Sequence, residues 1–340
     1  MRKVLTALLL LIGTLGVVDI ASARTPEELN KQCQKGNAPA CVLLGIMYDN
    51  GEGVKQDSFK AAELYRQACD GKDANGCSNL GVMYSKGEGV TQDSVKAVEF
   101  YRKACDGKDA LGCAWLGLMY DDGTGVTQDS VKAVEFYRKA CDGKDAGGCF
   151  YLGVSYANGL GVTQDSVKAA EFYRKACDGK AAAGCTNLGL MYDDGTGVTQ
   201  DDFKAVELYR KACDGKAAAG CTNLGLMYKK GTGVTQDVFK AVELYRKACD
   251  GKDAAGCFKL GYAYEKGEGV TQDSFKAVEL YRKACDGKYG GGCWQLGWMY
   301  EQGNSVRQSV ADALTFYGKA CDLKNTEGCE YYARLKTGKK

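Results

Sequence analysis

The sequence predicts an all-α solenoid of helix–loop–helix repeats cross-linked by disulfides. Three observations carry this. The chain of 340 residues repeats itself every 36 positions. Each repeat carries apolar residues at i, i+3, i+4 and i+7, the spacing of one face of an α-helix. The 18 cysteines fall in a fixed register, at 33 and 41, then 69 and 77, and so on to 321 and 329.

The chain opens with Arg2 and Lys3, a mostly apolar run from Val4 to Val18, and a small-x-small site at Ala21-Ser22-Ala23. This is the pattern of a signal peptide over residues 1–23, too short to span a bilayer comfortably. Residues 24–40 are then expected to form an N-terminal capping helix. Residues 41–328 form eight repeats, starting at Cys41, Cys77, Cys113, Cys149, Cys185, Cys221, Cys257 and Cys293. Residues 329–340 begin a C-terminal cap with a basic tail. The terminal repeat needs a polar outer surface, and Glu330 and Arg334 suit that.

Within a repeat, the first helix (helix A) is expected from Cys77 to Lys86 in the second copy. Cys77, Leu80, Gly81 and Tyr84 share its buried face. A glycine inside a helix weakens it by about 1 kcal/mol. Its recurrence at 117, 153, 189, 225, 261 and 297 implies that another helix passes close by. Gly87-Glu88-Gly89 ends helix A. Helix B follows, capped by Asp93 or Ser94. Ala97, Tyr101, Ala104 and Cys105 form its apolar seam, and Asp106-Gly107 stops it. Short loops make successive helices antiparallel neighbours. One hairpin cannot bury its own apolar face, so stacked copies must share a core.

Eighteen cysteines in an exported chain read as a disulfide framework. Cysteines can pair eight apart across the B-to-A turn, or 28 apart across one hairpin. The second scheme strands Cys33 and Cys329. The first uses every thiol: Cys33–Cys41, Cys69–Cys77, Cys105–Cys113, Cys141–Cys149, Cys177–Cys185, Cys213–Cys221, Cys249–Cys257, Cys285–Cys293 and Cys321–Cys329. The spacing does not suit zinc, and no histidine is present. No metal or cofactor is expected. The formal net charge is +2, with acids and bases alternating through each repeat. No basic field exists for sequence-blind nucleic-acid binding. No membrane anchor is expected after signal cleavage, and the mature chain is expected to be a secreted or periplasmic monomer.

The repeat LGxMYxxGxGVxQDxxKAxxxYxxAC resembles the Sel1-like repeat, a relative of the tetratricopeptide repeat. The cysteine pair in each copy is similar to that of the Helicobacter cysteine-rich protein family. The resemblance implies a right-handed αα-superhelix and a role as an adaptor for other proteins. The cysteine-rich branch further implies penicillin binding, slow β-lactamase activity and exposure to the host as antigen.

Comparison of the copies locates where function can sit. Positions two, five and nine after each helix A cysteine lie within about 60° on the helical wheel, away from the buried face. They change between copies while frame positions hold. By analogy with tetratricopeptide solenoids they line a concave groove. The candidate ligand-binding residues are Asn79, Trp115, Leu118, Tyr151, Asn187, Asn223, Lys230, Lys259, Tyr262, Lys266 and Trp298. Asparagines pair with backbone amides. The aromatic residues are rigid anchors. The lysines suit a carboxylate. A peptide or protein is the expected ligand, with peptidoglycan fragments and host proteins as further partners.

The residues argue less well for an enzyme. Without histidine, Ser-His-Asp and Cys-His arrangements are excluded. Serine β-lactamases need Ser-x-x-Lys and Ser-Asp-Asn, and neither occurs here. Lys336-Thr337-Gly338 is a lone tripeptide in the tail. No catalytic residue can be named, and a β-lactamase reading rests on the resemblance.

Overall fold

The computed structural model describes residues 25–337. The expected signal peptide lies outside the described residues, as does Gly338 of the Lys-Thr-Gly tripeptide. The described chain forms 18 α-helices. It divides into two compact units. The first, up to Asp93, holds α1 (Pro26–Gln34), α2 (Ala38–Asn50), α3 (Ser58–Asp70) and α4 (Ala74–Lys86). The second, from Ser94, holds α5 (Ser94–Asp106), α6 (Ala110–Asp122), α7 (Ser130–Asp142), α8 (Ala146–Asn158), α9 (Ser166–Asp178), α10 (Ala182–Asp194) and α11 (Asp202–Asp214). It continues through α12 (Ala218–Lys230), α13 (Val238–Asp250), α14 (Ala254–Lys266), α15 (Ser274–Asp286), α16 (Gly290–Gln302), α17 (Val310–Asp322) and α18 (Thr326–Thr337). Even-numbered helices from α2 to α18 carry the A register, and odd-numbered helices from α3 to α17 the B register.

The A helices start three residues earlier than the cysteine-based expectation. In α4 the Asp73 side chain accepts hydrogen bonds from the Asn75 and Gly76 amides, which fixes the start at Ala74. Asp109, Asp145 and Asp253 cap α6, α8 and α14 in the same way. Such a cap satisfies amide donors that have no partner within the helix. The B helices start at an aspartate too. Asp129, Asp165, Asp201, Asp237 and Asp273 accept from the backbone amide three residues on.

Where a glycine follows a B helix (α17 is followed by Leu323 instead), its role differs from the one expected. Gly143 keeps a right-handed φ of −75°, and Lys144 takes the left-handed conformation at φ 67°. The glycine is required by packing. A Cβ on Gly143 would stand 2.7 Å from the Cβ of Ala110, the first residue of the preceding A helix. The glycine inside helix A has the expected role. A Cβ on Gly117 would stand 2.6 Å from ring atoms of Tyr137 on α7.

All 18 cysteines are disulfide-bonded, each to the partner eight positions away, with Cα–Cα distances of 4.4 to 4.7 Å. Each bond closes the corner between a B helix and the next A helix. The seam alanines, among them Ala97, Ala140, Ala176, Ala212, Ala248 and Ala284, are buried, as are Leu80, Leu116, Leu152 and Leu296. Arginines on B helices reach the next A helix: Arg66 donates to the Tyr84 hydroxyl at 2.6 Å and Arg138 to Tyr156 at 3.0 Å. Arg334, on α18, is held by an ion pair. It pairs with Glu301 on the preceding A helix, α16. Among the described residues no helix is long and apolar enough to cross a membrane, and no cluster of metal-ligating side chains occurs.

Candidate ligand-binding strip on the A helices

In the second unit, consecutive A helices touch: α6 with α8, α10 with α12, and α12 with α14. The three variable positions therefore lie side by side on these neighbouring helices. They differ in depth. The ninth position is exposed at Asp122, Asn158, Asp194, Lys230 and Lys266. The fifth is half-buried at Leu118, Leu226 and Trp298, and exposed at Leu190 and Tyr262. The second is half-buried at Tyr151, Asn187, Asn223 and Lys259, while Trp115 stays 37% exposed. In the first unit Asn79 is half-buried on α4.

The depth of the second position has a structural cause. It lies over a buried tyrosine from the intervening B helix. Trp115 stacks on Tyr101 with ring centroids 6.2 Å apart, and Tyr151 stacks on Tyr137 at 5.2 Å. Burial pushes the Tyr173 phenol up, tempered by the Asn187 side chain beside it. These anchors are thus held rigid from below, so ordering them on binding costs little side-chain entropy.

The floor holds residues that the copy comparison missed. The eighth position after each cysteine lies at about 80° on the wheel, on the flank between the core and the strip. There Glu265 is a buried carboxylate with three partners. The Tyr281 hydroxyl donates to it at 2.6 Å, Gln295 Nε2 at 2.9 Å, and Lys266 Nζ pairs with it at 2.7 Å. Glu301 accepts from Tyr317 at 2.7 Å, and Asp193 accepts from Tyr209 at 3.4 Å. Asp121 lies beside Tyr137. Burial first, then Asp122, raises the Asp121 carboxyl above its ordinary value. The signal was present in the sequence. The eighth position varies as the ninth does, while the tyrosine 16 residues later never changes.

The lysines form one group with an added member. Lys229, at the eighth position of α12, pairs with Glu268 at 2.6 Å and stands 4.8 Å from the Tyr262 ring centroid. Lys266 also stands over that ring, at 5.7 Å. Burial, then the charges of Lys229 and Lys230, hold Lys259 below the usual ammonium range.

The comparisons with known proteins bear on this arrangement. The Sel1 repeat model matches eight times, over residues 38–73, 74–109, 110–145, 146–180, 182–216, 218–253, 254–289 and 291–325. The chain belongs to the Sel1 repeat family. A protective antigen of uropathogenic Escherichia coli with this fold is 28% identical, with a TM-score of 0.71, covering 93% of this chain and 72% of that one. A Sel1 repeat protein from Oxalobacter formigenes is 23% identical, with a TM-score of 0.64, covering 96% and 98%. Helicobacter pylori cysteine rich protein B is 30% identical but covers only 38% of this chain and 98% of its own, with a TM-score of 0.32. The assignment therefore stands at the Sel1 family and does not extend to the cysteine-rich branch. No curated protein matches.

As a Sel1 repeat chain, the molecule separates two kinds of position. Glycine, alanine, cysteine and tyrosine recur as frame. The second, fifth, eighth and ninth positions of the A helices vary over that frame.

Proposed function

We propose that this Sel1 repeat protein is a disulfide-braced binding scaffold, and that the A-helix strip is a groove for an extended peptide or protein segment. One observation carries the reading. The second and ninth positions change chemistry from helix to helix, and the fifth changes size while staying apolar, while the tyrosine floor beneath stays constant. A frame needs no such variation, and a linear ligand does. Trp115, Tyr151, Tyr262 and Trp298 supply aromatic anchors, and Asn187 and Asn223 supply donors and acceptors for backbone amides. The family resemblance implies an adaptor role, which agrees.

The nine disulfides suit an oxidising compartment, which agrees with a place in the periplasm or outside the cell. Partners there include proteins and peptidoglycan peptides. The E. coli relative is described as a protective antigen, which makes host proteins a further class. A β-lactamase reading rests on resemblance to the Helicobacter proteins, and no observation of the strip favours it.

The test is selection of peptides from a random display library on the oxidised protein, followed by calorimetry. Trp115→Ala with Asn187→Ala is expected to weaken the selected peptides by about tenfold or more, with the helical circular-dichroism spectrum retained. Equal affinity for the variant and the native chain would overturn the groove.

A further inference from the structure

In the second unit the floor tyrosines usually meet an acid of their own repeat. Tyr209 has Asp193, Tyr281 has Glu265 and Tyr317 has Glu301. Tyr137 lies beside Asp121. The Tyr137 hydroxyl makes no hydrogen bond among the described residues, although the acid stands near it. Tyr173 and Tyr245 have no acid at this position: Ala157 stands there for Tyr173, which has Asn187 beside it instead, and Tyr245 on α13 is the one that faces a cation. The corresponding position on α12 is Lys229. The Tyr245 side chain is 2% exposed, and its hydroxyl has no hydrogen-bond partner. A buried hydroxyl left without a partner is unfavourable. The carboxylate nearest in charge, Glu268, is already taken by Lys229 at 2.6 Å.

The cations beside this phenol are also short of partners. Lys259 on α14 holds the register at which Trp115 and Tyr151 stack on Tyr101 and Tyr137, which places it above Tyr245. Lys259 is half-buried, and Lys230 is exposed. Neither has an ion-pair partner among the described residues. A half-buried ammonium facing other ammonium groups is unfavourable until an anion arrives.

We propose that the strip carries a carboxylate-anchoring subsite at α12–α14, where Lys259 and Lys230 supply charge and the Tyr245 hydroxyl donates a hydrogen bond. The ligand's carboxylate takes the place that Asp193, Glu265 and Glu301 fill in the neighbouring repeats. Its source is the free end of an extended peptide or an acidic side chain. This rests on the groove reading and names the group that fixes where a peptide ends. The flexible Lys259 side chain swings aside to admit the carboxylate, and charge-assisted hydrogen bonds then form.

The test uses the full oxidised chain with lysines reductively methylated with 13C, a change that keeps their charge. Signals are assigned with Lys259→Gln and Lys230→Gln. Three probes are added: acetyl-tetra-alanine with a free carboxylate, its C-terminal amide, and acetyl-Ala-Ala-Ala-Glu amide. The free acid is expected to shift the Lys259 and Lys230 signals saturably, and the alanine amide is not. A response to the glutamate amide as strong as to the free acid assigns the subsite to side-chain carboxylates, and a weaker one to chain ends. Tyr245→Phe is expected to weaken the free acid by about tenfold, with folding unaffected because an unpaired hydroxyl is removed. Equal shifts from acid and alanine amide, or none at millimolar probe, would overturn the subsite. Peptides selected on the groove would still bind at Trp115 in that case, so the two readings fail separately.

Discussion

Two adjacent repeats show how one frame carries two different surfaces. In the α14–α15 repeat the floor is closed: Glu265 accepts from Tyr281 and Gln295 and pairs with Lys266. In the α12–α13 repeat the same tyrosine position ends in an unpaired hydroxyl, with lysines around it. Yet the frames match. A Cβ on Gly225 would stand 2.6 Å from the Tyr245 ring, and one on Gly261 would stand 3.0 Å from the Tyr281 ring. Both repeats enter and leave through disulfides eight residues long. Stability is thus set by positions shared among all repeats, and ligand chemistry by a few that are free to change.

The comparison can be broken at its frame first. Gly225→Leu and Gly261→Leu each force a side chain into a tyrosine ring, and each is expected to cost about 3 kcal/mol in denaturant unfolding. A large difference between the two would mean that the frames are not equivalent. Removing a disulfide comes next. Cys213→Ala with Cys221→Ala, and Cys249→Ala with Cys257→Ala, are each expected to cost about 2.5 kcal/mol. These pairs frame the open repeat, so similar losses would show that the corners are interchangeable.

The floors should then separate. Tyr281→Phe removes a donor from a buried carboxylate and is expected to cost about 1–2 kcal/mol. Tyr245→Phe removes an unpaired hydroxyl and is expected to be neutral or slightly stabilising. Equal costs in thermal melts would contradict the contrast between the repeats. Lys229→Glu should sharpen it by placing an acid where Glu265 stands in the next repeat, weakening binding of carboxylate probes.

The smallest effect concerns acid. Backbone amides, with Lys276 the first, hold the Asp273 carboxyl below its ordinary value of 3.8, and Asp129, Asp165 and Asp201 are held down by the same kind of bond. A lowered folded value means that the stabilisation is complete above 3.8 and is lost as pH falls through the lower folded value. Asp273→Asn is expected to flatten that part of the melting-temperature profile while leaving the cap in place at neutral pH. An unchanged acid slope would show that these caps do not titrate as argued.

Much of the frame was legible in the sequence because it repeats. The period, the helix A face and the eight-residue pairing all follow from residues that recur in register. The start of helix A was misplaced because Asp73 and its counterparts were not read as caps. The role of Gly143 was misread because sequence shows a glycine after a helix but not the Ala110 methyl against it. At the site, Trp115, Tyr151 and Lys259 were visible as variation. Glu265 and Lys229 were not, since the eighth position lies on the flank of the wheel and its meaning appears only when the tyrosine hydroxyl is seen to reach it.

The most direct test of the groove is site-specific photo-cross-linking with a selected peptide. A benzophenone amino acid is placed at Leu118 or Tyr262 in the strip, and at Phe203, an exposed residue near the start of α11. Cross-links from Leu118 and Tyr262 that saturate with peptide, and none from Phe203, are the predicted result. Cross-links from Phe203 alone would put the ligand on the B helices and contradict the account.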